Sequence, residues 1–267
     1  MSKDIRRVLV ISDTHCGSTC GLMPPDFETQ EEVAIKQSPF QRELWRVWSA
    51  MIDRAKGMGP FDLVLNGDLI EGMHHKTTEV WSADPADHVL CAWHVLQRVA
   101  DMAENVYVVR GTAAHTGASS EHGLAIKLGA VLQSKAKPAF DRLEVEWAGC
   151  PCVFIHHMPT TARPWTEATG VGINAAMHQL AAVRAGDAVP RVIVAGHRHR
   201  FGLYRDEYSV SVALPAWQGL TRFGSKVVPQ ARTTVGMVWL DWSGLKDGSL
   251  PRVDEWVETV KAKGVRA

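Results

Sequence analysis

The chain has 267 residues, 46% hydrophobic and 22% charged, with a formal net charge of zero at neutral pH, so it can bury a substantial core. The charge balance argues against a surface built to track long nucleic acid, and no apolar run approaches the ~20 residues of a membrane span. The five cysteines, Cys16, Cys20, Cys91, Cys150 and Cys152, form no disulfide framework, and the N-terminal residues carry no signal-like segment. The expectation is one cytoplasmic domain over residues 1–267 with free thiols.

In chain order, the apolar run Val8-Leu9-Val10-Ile11 predicts a first strand. Residues 17–38, with Pro24-Pro25, read as a long loop. A helix is predicted over 40–56, with Leu44, Trp48, Met51 and Ile52 on one face. Leu63-Val64-Leu65 predicts the second strand, and residues 71–85 a second long loop carrying His74, His75 and Trp81. The loops 17–38 and 71–85 are read as lid or specificity insertions. A helix follows over 86–103, a strand over 106–109 and a helix over 121–133. Strands are predicted at 143–147 and 152–156, then a helix containing Ala175, His178, Leu180 and Val183, then the strand 192–195. Beyond Phe201, alternating runs at 208–213 and 233–242 predict strands closing a second sheet.

Four of these runs end in Asp or His: Asp13-Thr14-His15, Gly67-Asp68, His156 and Gly196-His197-Arg198-His199. Such side chains hold hard and borderline divalent metals, and ligands of α/β proteins gather at the carboxyl ends of strands. In extended chain, residues i and i+2 face the same way. Asp13 and His15 are therefore expected to reach one ion, and His197 and His199 likewise if that stretch stays extended. Gly67 and Gly196 allow tight turns or close approach. Asp68 has two oxygens with which to bridge ions.

Any one histidine is more often structural than functional, and His88, His94, His122 and His178, on predicted helices, are read so. His74 and His75 are candidate substrate contacts. Trp81, Trp165 and Trp217 could stack on a ring or belong to the core. No Walker-type phosphate loop is present.

The order D-x-H, G-D, Gly-led loop with His, H and G-H-x-H, between Ile11 and His199, resembles the calcineurin-like metallophosphoesterases. The resemblance implies an α/β fold: a four-layer α/β/β/α sandwich of two mixed sheets, with the metal site at the carboxyl ends of the strands. It implies two divalent ions, Mn²⁺ by preference with Fe or Zn²⁺ as alternatives. Asp13, His15 and His199 would hold the first, Asp68 would bridge, and His156 and His197 would hold the second. The implied activity is hydrolysis of a phosphodiester or phosphomonoester by a hydroxide between the ions, with a nucleotide or nucleic acid among the substrate classes. A DNA-repair-type nuclease and a scaffold that has lost catalysis are the alternatives.

Where the family has Gly-Asn-His and an acidic residue, this chain has Arg110-Gly111-Thr112-Ala113-Ala114-His115. This variant, with the loop after Asp13, resembles phage- and prophage-encoded members. Thr112 stands in the column of the Asn that binds the second metal. His115 either replaces that Asn as ligand or serves as general acid while Thr112 or a water completes the shell; the second reading is favoured. Arg110 either holds a phosphate oxygen, as a catalytic residue, or pairs with a surface carboxylate. Arg198 is expected in a surface pair. Of His156 and His157, only one should face the ions.

Overall fold

The computed structural model describes residues 5–74, 77–116, 120–158, 167–227 and 233–260. His75 and Trp165, both candidate substrate contacts, lie outside these residues. Strand β1 (Arg7–Ile11) is followed by a small hairpin, β2 (Phe27–Glu28) and β3 (Ala34–Ile35), within the first long loop. Next come α1 (Pro39–Ala55), β4 (Asp62–Asn66), α2 (Pro85–Ala100), β5 (Val106–Val109), α3 (Ala113–Thr116) and α4 (Ser120–Lys127). The second half contributes β6 (Leu143–Trp147), β7 (Cys150–Ile155), α5 (Glu167–Ala185), β8 (Val192–Ala195), β9 (Gly202–Arg205), β10 (Val210–Ala213), α6 (Arg222–Val227), β11 (Thr234–Asp241) and β12 (Arg252–Thr259).

Two mixed five-stranded sheets result, in the orders β12-β11-β1-β4-β5 and β6-β7-β8-β10-β9. In the first, β1, β4 and β5 are parallel; in the second, β7, β8 and β10 are parallel. These central strands are buried on both faces, which is why they read as unbroken apolar runs. Successive side chains alternate between faces. Leu9, Ile11, Leu63, Leu65, Met237 and Trp239 pack with α1 and α2. Val8, Val10, Val64, Val238 and Leu240 instead face Cys152, Phe154, Val194 and Val212 of the other sheet. Outside the second sheet, Ala195 and Ala213 pack on Val171 of α5. The layers therefore run helix, sheet, sheet, helix, as expected.

Helix α1 begins where its sequence dictates. Ser38 accepts from the Gln41 N–H while the Gln41 side chain accepts from the Ser38 N–H, with Pro39 in the first turn. Helix α4, predicted to reach residue 133, stops at Lys127. Gly129 takes φ +65° and the Ala130 N–H closes on the Ala125 carbonyl (3.0 Å), after which the Val131 N–H bonds to Val106 (2.8 Å). A glycine-centred helix stop thus turns the remaining apolar residues onto the edge of β5.

The two long loops are tied to each other. The Thr19 N–H donates to Glu79 (2.8 Å) and the Trp81 N–H to Gly17 (3.2 Å), so they form one joint wall. Trp217 is fully buried against Trp48, ring centroids 4.9 Å apart, which makes it core; Trp81 packs edge-on to Phe27. The cysteines are all free. No helix among the described residues is long and apolar enough to cross a membrane.

Candidate metal centre

The loops leaving β1, β4, β7 and β8 meet at one end of the two sheets and are stitched together by backbone hydrogen bonds. The Asp13 N–H donates to Gly67 (2.9 Å), the His15 N–H to Asp68 (3.0 Å), and the Gly196 N–H to His156 (3.0 Å). Five of the predicted ligands adopt left-handed backbone: Asp13 (φ 54°), His15 (44°), Asp68 (49°), His197 (70°) and His199 (55°). This corrects the extended geometry expected for both D-x-H and H-x-H. Each such residue costs about 1 kcal/mol or more, and the inter-loop bonds hold them there. Gly67 and Gly196 are required by crowding. A Cβ on Gly67 would lie 2.6 Å from His156 Nδ1, and one on Gly196 2.9 Å from Asp13 Oδ2.

These turns decide which side chains meet. Asp13, His15 and His199 form one group of converging ligand atoms, and Asp68, His156 and His197 another. His197 and His199 are therefore parted, one to each group, because the Arg198 N–H folds back on the Gly196 carbonyl (2.8 Å). In the first group, His199 Nε2 lies 3.3 Å from Asp13 Oδ1 and 3.2 Å from His15 Nε2. In the second, His156 Nε2 lies 2.9 Å from Asp68 Oδ2 without the alignment of a hydrogen bond. Asp13 Oδ1 stands between the groups, 3.8 Å from His156 Nε2. Separations near 3–4 Å suit atoms sharing an ion at about 2.0–2.2 Å.

Two observations fit a cation here. Asp13 Oδ1 and His156 Nε2 are buried with no hydrogen-bond partner, which costs stability unless a cation takes their lone pairs. The ring orientations also leave lone pairs facing inward. His156 Nδ1–H donates to the Asn66 carbonyl (2.8 Å) and His15 Nδ1–H to Glu71 Oε2 (2.8 Å), so each Nε2 is free to ligate.

Electrostatics point the same way. Burial is the largest influence and opposes ionisation of Asp13 and Asp68, yet the charges and hydrogen bonds of His156, His15 and, for Asp13, His199 together outweigh it, and both carboxyls are held well below their usual range. Burial likewise works against a charged His15 or His156, but the adjacent carboxylates prevail. His15 is raised well above an ordinary histidine and His156 to about 9. In the metal-free chain, protons supply the positive charge; a bound cation would displace them.

Thr112 donates its N–H to Asp68 Oδ1 (2.6 Å) and its hydroxyl to Asp68 Oδ2 (3.0 Å). Its oxygen is 3.4 Å from His197 Nδ1. His115 sits on the other side, grouped with His15 and Glu71, its Nδ1–H donated to the Glu71 carbonyl (3.0 Å). Burial, then the His15 charge, lowers its pKa to about 4. Arg110 pairs with Asp141 (2.8 Å) and bonds to none of the clustered ligands among the described residues. Arg198, expected at the surface, is buried at 7% exposure, under the start of α5, where its guanidinium lies near Gly170. His156 is buried and faces inward, whereas His157 is exposed. His88 is buried and structural, accepting from the Gly72 N–H (3.1 Å) and donating to Ser82 (2.9 Å).

Sequence reasoning missed two carboxylates. Glu71 follows Asp68 by three residues at the end of an apolar pair, and an acidic residue there was the available signal. Glu121, at the start of α4, is buried and accepts from the Leu69 N–H (3.0 Å) and the Gly111 N–H (2.6 Å), clamping the loops that carry Asp68 and Thr112. Nothing in its local sequence marks it. Burial, then the Asp68 charge, raises its pKa to about 7. Glu121→Leu leaves the buried Leu69 N–H and the half-buried Gly111 N–H without their acceptor and should cost about 3 kcal/mol in urea unfolding of the metal-free chain. Because the folded pKa exceeds the unfolded value, the stabilisation is full below the unfolded carboxylate pKa and is lost as pH rises through about 7. The deficit of the variant should therefore be larger at pH 5 than at pH 8; an equal deficit would contradict the raised pKa.

No protein-family model matches the chain, nor does any curated protein. Among solved structures, it is similar to Vps29 complexed with Zn²⁺ from Entamoeba histolytica, at 12% identity and TM-score 0.44 over 95% of this chain and 98% of that one. It is also similar to an archaeal phosphodiesterase (9%, TM-score 0.46, 94% and 99%) and to a predicted phosphoesterase from Streptococcus pneumoniae (12%, TM-score 0.35, 94% and 98%).

Proposed function

We propose that the protein hydrolyses phosphate esters, phosphodiesters foremost, using two divalent ions, with Mn²⁺ preferred. The observation that carries this reading is the pair of Asp/His groups facing each other across two buried, unpartnered lone-pair atoms, Asp13 Oδ1 and His156 Nε2. Asp13, His15 and His199 would hold one ion and Asp68, His156 and His197 the other. When bound, such a pair supplies Lewis acidity toward a phosphoryl oxygen and lowers the pKa of a water at the site.

The chain's own residues hold this arrangement in place. Thr112 fixes both oxygens of Asp68, and the single Ser12 hydroxyl proton is shared between Asp13 and the Asn66 carbonyl. That hydroxyl is thus spoken for, and Cys16 is fully buried, so neither serves as a covalent nucleophile. His115 is assigned to the leaving group, which it would protonate through the ring nitrogen not bound to Glu71.

Elemental analysis after mild Mn²⁺ loading should find close to two ions per chain. One ion or none, in a protein with an intact fold by circular dichroism, would overturn the dinuclear reading.

A further inference from the structure

Glu71 is a buried carboxylate, 2% exposed, to which the proposed reaction gives no task. Its acceptors are all taken by side chains converging on the site. Oε2 accepts from His15 Nδ1 (2.8 Å) and from Gln218 Nε2 (2.8 Å). Oε1 accepts from His74 Nε2 (2.8 Å), and the main-chain carbonyl accepts from His115 Nδ1 (3.0 Å).

We infer that Glu71 is a positioning residue that fixes His15 in the tautomer and orientation needed to hold a divalent ion, and so sets the affinity of the Asp13–His15–His199 group alone. This rests on the reading above that the two groups hold ions. A histidine ligates through one nitrogen and must donate the proton on the other. For His156 the acceptor is a neutral carbonyl, that of Asn66. For His15 it is a carboxylate, and charge-assisted bonds are about twice as strong as neutral ones. Such a partner raises the basicity of the ligating nitrogen and locks the ring. His15 stands between Glu71 and the convergence point, with its Nδ1 toward Glu71 and its Nε2 toward His199. Glu71 therefore acts through His15. The Gln218 amide, itself buried, donates to the same oxygen and holds the carboxylate in register.

The second group has no bond to Glu71: its anchors are Asn66 for His156 and Thr112 for Asp68. The effect of losing Glu71 should therefore be asymmetric. Glu71→Gln preserves shape but removes the charge and offers an amide N–H to one of the two imidazoles. Mn²⁺ binding would be measured by isothermal calorimetry and by competition with a fluorescent chelator. Wild type should show two binding events. In Glu71→Gln one should stay within about twofold while the other weakens about 10–100-fold, and His15→Ala should abolish that same event.

Unchanged affinities in a folded Glu71→Gln, with two ions in wild type, overturn this inference alone. Equal weakening of both events also overturns it, because it marks a merely structural residue. A third wild-type equivalent lost in the variant would make Glu71 a ligand and overturn it too. A wild-type chain that binds no ion overturns both the inference and the reading beneath it. Should Glu71→Gln fail to fold, Zn²⁺-loaded wild type keeps the test open. Its proton NMR spectrum should contain an exchange-protected imidazole N–H downfield of the amide envelope, missing in His15→Ala; absence of that resonance in wild type overturns the inference.

Discussion

Asp68→Asn should eliminate metal-dependent phosphodiester hydrolysis, and chelation of the wild type should do the same until Mn²⁺ is restored. The carboxylate is the one anionic group among Asp68, His156 and His197, and it accepts from both the N–H and the hydroxyl of Thr112. An amide removes the negative charge and turns a donor toward one of those two donors. Several kcal/mol of charge stabilisation corresponds to a rate loss of roughly 10³-fold or more. The measurement is turnover of an aryl phosphodiester, before and after chelation, for wild type and Asp68→Asn at equal metal loading. Hydrolysis that survives both treatments would have to come from a different site, and the proposed function would fall.

His115→Asn should lower the rate on a substrate with a poor leaving group about 10²–10⁴-fold, the usual worth of general acid catalysis. A nitrophenolate leaving group needs little protonation, so its hydrolysis should fall much less, and metal content should stay unchanged. His115 shares no group with Asp68, His156 and His197 but lies beside His15 and Glu71, away from Thr112, which holds Asp68. Burial and the His15 charge also lower its pKa to about 4, so the free site holds it neutral at pH 7. To act as an acid it must gain a proton when an anionic phosphate binds next to it. The poor-leaving-group reaction of the wild type should therefore decline with rising pH more steeply than the nitrophenolate reaction. Equal losses on both substrates, rescued by excess Mn²⁺, would make His115 a ligand instead.

Much of this molecule could be read from its sequence because its signals are local. Each apolar run of β1, β4, β7 and β8 ends within a few residues of Asp or His, and a strand terminus puts those residues at one end of a sheet whatever the loops do. The same runs, apolar on both faces, call for covering layers on each side, while the four-layer order was what the motif resemblance implied. The helix at Ser38-Pro39 carries its own capping signal. Tertiary structure decided the rest, for a physical reason. Beyond a strand end, side-chain direction is set by hydrogen bonds between loops far apart in sequence. The extended D-x-H and H-x-H expected from spacing give way to left-handed turns at Asp13, His15, His197 and His199, held by Gly67, Asp68 and Gly196. Those turns send His197 and His199 to different groups. Glu71 and Glu121 gain their roles only because folding brings His15, Leu69 and Gly111 to them. Arg110 went to Asp141, 31 residues away, a partner that no local pattern announces. The sequence thus determined which residues arrive at the strand ends, and the contacts between loops determined which of them face one another.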